Sequence, residues 1–446
     1  MENLRHYYDV VYKITMLTGA WPYLKPTARI LRVGLVTLTI ITIFIPQIAY
    51  QFTCKSNLQC TFESMTSYLL TIVALIKVYT IQLNNYKMKD LTQHLVVDWK
   101  TEKTPEQLKI MKLYANTSRQ LCLIYVAYVL SGVIIFFSLP LVPFILDVMW
   151  PLNQSRPVIS PYPGYYFVDT REYFFKIFWH SIISWEIIFT AVVAHDCLLM
   201  TYVEHICSMF TMVGLDYESL FSNCDKAMEI TNNYKEICRK KVVLLVHAHK
   251  EALRLVELLE NTFSIPFAIQ MLLAIIGMSV TLLQITQQND IIKSCRYTLY
   301  VVGQLIHLFW FSFEGQKLID HSLQMSDKIY NSSWYEVSAS SQKLIILVMM
   351  RSTRPSVLSA GKIFIFSLES FTTVRPLEIT ECTFYRDSLM RLRFSSVRRP
   401  CKPRCRTSRS SQPFSVSCLW IRRHFAALIE RAGPTCLNAI TIIHLR

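Results

Sequence analysis

The chain has 446 residues, of which 52% are hydrophobic and 17% charged, with a formal net charge of +15. Soluble domains carry about 25% charged residues, so a soluble globular domain is excluded. Ten glycines rule out collagen-like repeats, and thirteen cysteines without a CxxC pair rule out a zinc ribbon or a disulfide framework.

Residues 1–29 form a cytoplasmic N-terminus. Glu2, Arg5, Asp9, Lys13, Lys25 and Arg29 interrupt it, and no apolar stretch precedes a small-residue cleavage site, so no cleavable signal peptide is expected. A bilayer core of ~30 Å needs about 20 mostly apolar helical residues. Six runs approach or exceed that length: 30–50, 62–83, 120–146, 173–203, 263–285 and 297–313. They define helices 1–6 within 30–313. Cys54 and Cys60 lie in the first short loop; free thiols are expected, with pairing as the alternative. The fourth run holds Lys176, His180, Glu186, His195 and Asp196, yet its aromatic density keeps it a membrane helix. A seventh run, 361–374, is apolar but short.

Lysine and arginine in the loops orient these spans. The segments 1–29, 84–119, 207–262 and 314–343 hold 21, against five in 53–61, 147–172 and 286–296. The N-terminus is therefore placed inside, the reverse of a G-protein-coupled receptor. Sequons begin at Asn116, Asn153 and Asn331, and only Asn153 falls in an outer loop. Within the inner loop 207–262, Leu245, Ala248, Ala252, Leu255, Val256 and Leu259 recur at helical spacing from 234 to 261. This predicts an amphipathic helix running into the fifth span. It packs either on its own subunit or on a neighbouring one.

Three separated motifs then carry a resemblance. Gly19-Ala20-Trp21-Pro22 precedes the first span. His247, Glu257-Leu-Leu-Glu260-Asn-Thr-Phe263 and Gln270 surround the fifth. Tyr330, Trp334, Ser341-Gln-Lys343 and the run from Pro355 through Ser359-Ala360-Gly361-Lys362 to Phe371 come last. In this order the chain, over 1–374, resembles the insect odorant receptors. The resemblance implies an all-α, polytopic seven-transmembrane fold with a cytoplasmic N-terminus. It also implies a plasma-membrane cation-channel subunit of sensory-neuron dendrites, gated by volatile odorants. Its partner would be the odorant receptor co-receptor, in a hetero-oligomer expected to be a tetramer amid membrane lipid. Residues 314–374 would then be a cytoplasmic anchor region and the start of helix 7, which lines the pore with a gate near Val374.

The same resemblance places the odorant between the outer halves of helices 2, 3, 4 and 6, where an apolar volatile needs a dry aromatic pocket with few polar anchors. The residues expected there are Tyr68, Phe136, Phe137, Phe178, Ser181, Ile182, Trp185, Tyr300, Gln304 and His307. Ordinary packing or lipid contact is the competing reading for each aromatic. Charges at the bilayer centre cost about 2.5–3.5 kcal/mol on insertion scales. Glu186 is accordingly expected to be paired or protonated, and Lys77 to snorkel to the inner headgroups.

No catalytic constellation, metal site, cofactor motif or nucleic-acid module is found, so no enzyme is expected. After Val374 the composition changes: 375–446 hold 13 Arg and one Lys against four acidic residues. This Arg-rich, non-family tail is expected to be disordered. Arg375-Pro376 cuts the seventh helix short, and Glu378 stands one turn beyond Val374, so a truncated, non-conducting receptor is the alternative. A gustatory receptor is the nearest rival family; its Thr-Tyr…Gln-Phe ending is not found.

Overall fold

The computed structural model describes residues 2–372 apart from 55–56, 151–155, 157–159, 229–233 and 288–290. Val374, Asn153 and the Arg-rich tail lie outside the described residues.

Among the described residues ten α-helices dominate. They are α1 (Glu2–Thr18), α2 (Pro26–Thr53), α3 (Leu58–Leu83), α4 (Asn85–Lys100), α5 (Pro105–Ser138), α6 (Val142–Met149), α7 (Phe174–Met228), α8 (Tyr234–Gln287), α9 (Ile291–Tyr330) and α10 (Ala339–Ser352). Their ends follow local chemistry. At α3 the Asn57 side chain accepts from the Gln59 and Cys60 amides, and at α5 Thr104 and Gln107 form a capping box ahead of Pro105. The α1–α2 turn uses Gly19 at φ +78°, where its missing Cβ is required, and both Ala20 and Trp21 amides donate to Thr15 O. That is the physical content of the Gly-x-Trp-Pro element.

Among the described residues, five helices are long and apolar enough to cross a membrane: Pro26–Thr53, Gln59–Leu83, Pro105–Met149, Phe174–Leu220 and Glu236–Gln287. The sixth expected span, 297–313, lies inside the 40-residue α9, whose apolar run is shorter. Helix α2 turns Leu31, Leu35, Leu38, Ile41 and Ile45 outward at helical spacing, a lipid-facing stripe. Helix α8 is continuous for 54 residues, joining the amphipathic 234–261 segment to the fifth span.

The apolar stretch from 361 does not begin as a helix. Ser359–Ala360 (β1) and Phe364–Ile365 (β2) pair as a tight antiparallel hairpin, and helical residues start at 368. Gly361, at φ +63°, makes the turn and its amide donates to Ser264 O. The Glu260 carboxylate accepts from the Ser359 amide at 2.9 Å and from its hydroxyl. Two of the sequence motifs, far apart in the chain, thus bond to each other. On the other side Phe366 lies against α9 so closely that a Cβ on Gly315 would come within 2.1 Å of its carbonyl oxygen.

One expectation is corrected here. Cys54 and Cys60 are joined in a disulfide rather than free, their Cα atoms 5.4 Å apart. The α2–α3 connection is short enough to hold them at bridging distance. Cys238, on the expected inner side, is disulfide-bonded too, so the bridge does not by itself assign a face.

Candidate functional site

Several buried charged groups come together in one place. Lys77 on α3 is 1% exposed and sets its Nζ 2.7 Å from both carboxylate oxygens of Asp196 on α7. Lys77 therefore does not snorkel: the expectation is overturned because a buried partner is closer than the headgroups. Tyr125 of α5 donates to Asp196 Oδ2 at 2.7 Å, and His195 Nδ1 lies 2.8 Å from Oδ1. The carboxylate is thus ringed by donors, as a buried charge must be.

His307 of α9 completes the cluster. Its Nε2 receives Lys77 Nζ at 3.1 Å and Gln270 Nε2 at 2.9 Å, and both of these are donors. Nε2 is therefore unprotonated, and Nδ1–H faces Tyr125 Oη at 3.0 Å. The chain of bonds His307–Tyr125–Asp196–Lys77 closes on itself and joins α3, α5, α7 and α9, with α8 attached through Gln270. An ion pair satisfied in this way fixes the helices' relative register more than it adds stability.

Beside it, Phe267, Gln270, Gln304, His307, Phe311 and Phe366 enclose a space of about 20 Å³. That is room for one water, not for a volatile molecule. Gln304 and His307 line it; Tyr300 lies one turn away, with its hydroxyl packed where Gly277 lacks a Cβ.

The other expected ligand residues gather elsewhere. Phe137 and Trp185 are buried, with Phe136 and Ile182 packed beside them, in a cluster that includes Val36, Ile40 and Ala74. Residues 178, 181, 182 and 185 share one face of α7 by their spacing. Ser181 is fully buried and donates to Ile177 O at 2.6 Å. Phe178 instead stacks on Phe174 at 5.8 Å, in an aromatic group with Phe144. Tyr68 is half-buried on α3. Phe136, Phe137, Ile182 and Trp185 thus gather on α5 and α7, Tyr300, Gln304 and His307 lie on α9, and Phe178 and Tyr68 stand apart from both.

Sequence reasoning gave no site role to Asp196, Tyr125, Gln270 or Tyr162, which the structure brings to these two places. The available signal was Lys77 and Asp196 themselves. Two opposite charges in separate spans are each too costly to leave unpaired.

Comparison with known proteins gives a consistent answer. Residues 57–376 match the family described as 7tm Odorant receptor. Odorant receptor 22c of Drosophila melanogaster is 21% identical over 378 residues, covering 79% of this chain and 90% of that protein. The odorant receptor coreceptor of Ooceraea biroi is 25% identical over 155 residues, 34% of this chain and 32% of its own length. The fold is similar to the insect olfactory receptor OR5 from Machilis hrabei in complex with eugenol. Its TM-score is 0.67 at 14% identity, and the match covers 84% of this chain and 96% of that one.

Proposed function

Since this chain belongs to the 7tm odorant receptor family, we propose that it is a ligand-gated cation-channel subunit opened by volatile odorants. It is a multi-pass α-helical membrane protein, and a receptor family rather than an enzyme family contains it. The observation that carries the ligand reading is the aromatic group of Phe136, Phe137, Ile182 and Trp185, with the buried hydroxyl of Ser181 on the same face of α7 as Trp185. That composition suits a small apolar guest with one polar anchor.

In this reading the N-terminus is cytoplasmic, as the loop charges favour. The chain resides in the plasma membrane of sensory-neuron dendrites and assembles with the co-receptor as a tetramer. The hairpin at 359–365, bonded to Glu260 and Ser264 and pressed on Gly315, holds the start of the seventh helix on α8 and α9. A ligand-driven shift of α7 against α9 would pass through the Lys77–Asp196–Tyr125–His307 ring before reaching that helix, with Val374 as the gate residue. The test is current recorded from cells expressing the chain with the co-receptor while a volatile panel is applied. A companion version carrying a full-length apolar seventh helix is recorded in parallel. Absence of evoked current from both would overturn the proposal.

A further inference from the structure

The segment before α7 places a side chain where a connecting loop seldom does. Loops run over the surface, yet Tyr162 is only 4% exposed. Its ring meets Trp185 edge-on at 6.4 Å and belongs to the same buried cluster as Phe137, Val133 and Ile188. Its hydroxyl bonds to Tyr166 Oη, which lies 3.2 Å from His180 Nδ1, and His180 Nε2 lies 3.2 Å from Thr42 Oγ1 on α2. The Ser181 hydroxyl stands beside both tyrosine hydroxyls.

The segment is also tied down on either side. The Tyr165 amide donates to Pro46 O at 2.9 Å, and Arg296 Nη1 donates to Ser160 O at 3.3 Å. Arg296 is held in turn by Glu63 at 3.8 Å. The loop folds back on its own ring: a Cβ on Gly164 would sit 3.0 Å from Tyr162 Cε2. A phenol group is thus inserted, with its hydroxyl satisfied, among Phe136, Phe137, Ser181, Ile182 and Trp185. These are half of the residues expected to receive a ligand.

We infer that Tyr162 is an internal occupant of the odorant pocket and that the external ligand class is a small para-substituted phenol that displaces it. The inference rests on the proposed receptor function and names its ligand. A phenol reproduces both halves of what the pocket already holds: an aromatic face for Trp185 and a hydroxyl for Tyr166 and Ser181. A linear aliphatic alcohol reproduces only the second and toluene only the first. Since Tyr162 fills the site, any guest must compete with a tethered copy of its own chemistry, which weakens apparent affinity by the fraction of pockets left open.

The experiment uses the purified full-length chain in lipid nanodiscs and radiolabelled 4-methylphenol, the free equivalent of the tyrosine side chain. Tyr162→Gly should bind it saturably, at least tenfold more tightly than the wild type. Tyr162→Phe keeps the ring in place and should show no such gain. On Tyr162→Gly, toluene should compete more weakly than unlabelled 4-methylphenol, and 1-hexanol more weakly still. Equal affinity in wild type and Tyr162→Gly, or 1-hexanol competing as well as the phenol, would overturn the inference. If Tyr162→Gly fails to accumulate, 4-methylphenol in the growth medium should restore its yield, and no restoration counts against the idea. Odorant-evoked current in the wild type without a binding gain in Tyr162→Gly removes this inference and leaves the receptor function standing. A binding gain without current from any assembled receptor does the reverse.

Discussion

Breaking the Lys77–Asp196 pair from either side should give unequal losses, and the inequality follows from the neighbours each charge keeps. Removing one member of a buried pair costs about 3–5 kcal/mol because the other is left uncompensated. In Lys77→Met the Asp196 carboxylate still accepts from Tyr125 at 2.7 Å and from His195 Nδ1 at 2.8 Å. In Asp196→Leu the Lys77 ammonium retains His307 Nε2 at 3.1 Å and the Phe311 ring at 5.2 Å. The aspartate variant should therefore lie near 5 kcal/mol and the lysine variant near 3, within the ~3–5 kcal/mol range. The double variant removes both charges but orphans the Tyr125 and His195 donors, at ~1–3 kcal/mol each. It should consequently cost several kcal/mol less than the two single losses added. Denaturant unfolding of all four proteins in one detergent, assembled as a double-mutant cycle, measures this. Additivity within ~0.5 kcal/mol would show that the two groups do not act as a pair.

Further expectations concern separate parts of the molecule. Glycosylation mapping should find Asn153 modified and Asn116 and Asn331 bare; a modified Asn331 with a bare Asn153 would invert the proposed topology. Gly315→Ala should displace the 359–365 hairpin, since the new Cβ would meet Phe366 O at 2.1 Å. Hydrogen exchange at 359–366 should rise while α2 and α3 stay protected. In a responsive receptor, His307→Ala and Ser181→Ala should alter ligand ranking more than surface expression, and unchanged dose–response curves in both would remove them from the pocket. At the α8–α10 contact, burial and then Arg351 hold His249 down to about 4, neutral beside Ser352. An unfolded histidine titrates near 6.5. Stability should thus be complete above pH 6.5 and fall by up to about 1.4 kcal/mol per unit toward pH 4. Thermal melts of His249→Gln across that range should show a shallower slope.

How much of this the sequence disclosed depends on whether the cause is local. Helix positions follow from runs of apolar residues, and those runs survive in α2, α3, α7 and α8, while 120–146 is divided between α5 and α6. The hairpin at 359–365 did not announce itself, because Ile363-Phe-Ile-Phe366 reads equally as the start of a span. What makes it a hairpin is Glu260, about a hundred residues earlier, accepting from Ser359, together with the bare face of Gly315. The pairing of Lys77 was misread for the same reason. Snorkelling is a property of one helix, whereas the ion pair needs α3 and α7 side by side. Phe136, Phe137, Ile182 and Trp185 fall in one packed cluster because depth along a span is nearly a sequence property; that they receive a ligand is the proposal. Tyr162, which fills the space between them, comes from a loop whose path no periodicity records.

Helix α9 turns one face inward, and the candidate residues Tyr300, Gln304 and His307 lie on it. Tyr300, Gln304, His307, Glu314, Lys317 and His321 are spaced by 4, 3, 7, 3 and 4 residues, so they lie along one stripe of the helix. At 1.5 Å per residue that stripe runs about 32 Å, from inside the sixth expected span, 297–313, into the segment 314–343 beyond it. Its partners are discrete. His307 bonds to Tyr125 and Lys77, Lys317 pairs with Glu204, and His321 Nε2 lies 2.6 Å from Tyr114 Oη. A helix held by dispersion alone can slide by fractions of an ångström; one held by such bonds moves only by exchanging them. Between these anchors, Glu314 is fully buried with both carboxylate oxygens lacking a hydrogen-bond partner among the described residues. It is therefore a position on the stripe with bonding capacity to spare. Packed interfaces with alternative bonding sets tend to occupy discrete arrangements. In the proposed reading, a ligand-driven shift of α7 would have to exchange these bonds before α9 could move against it.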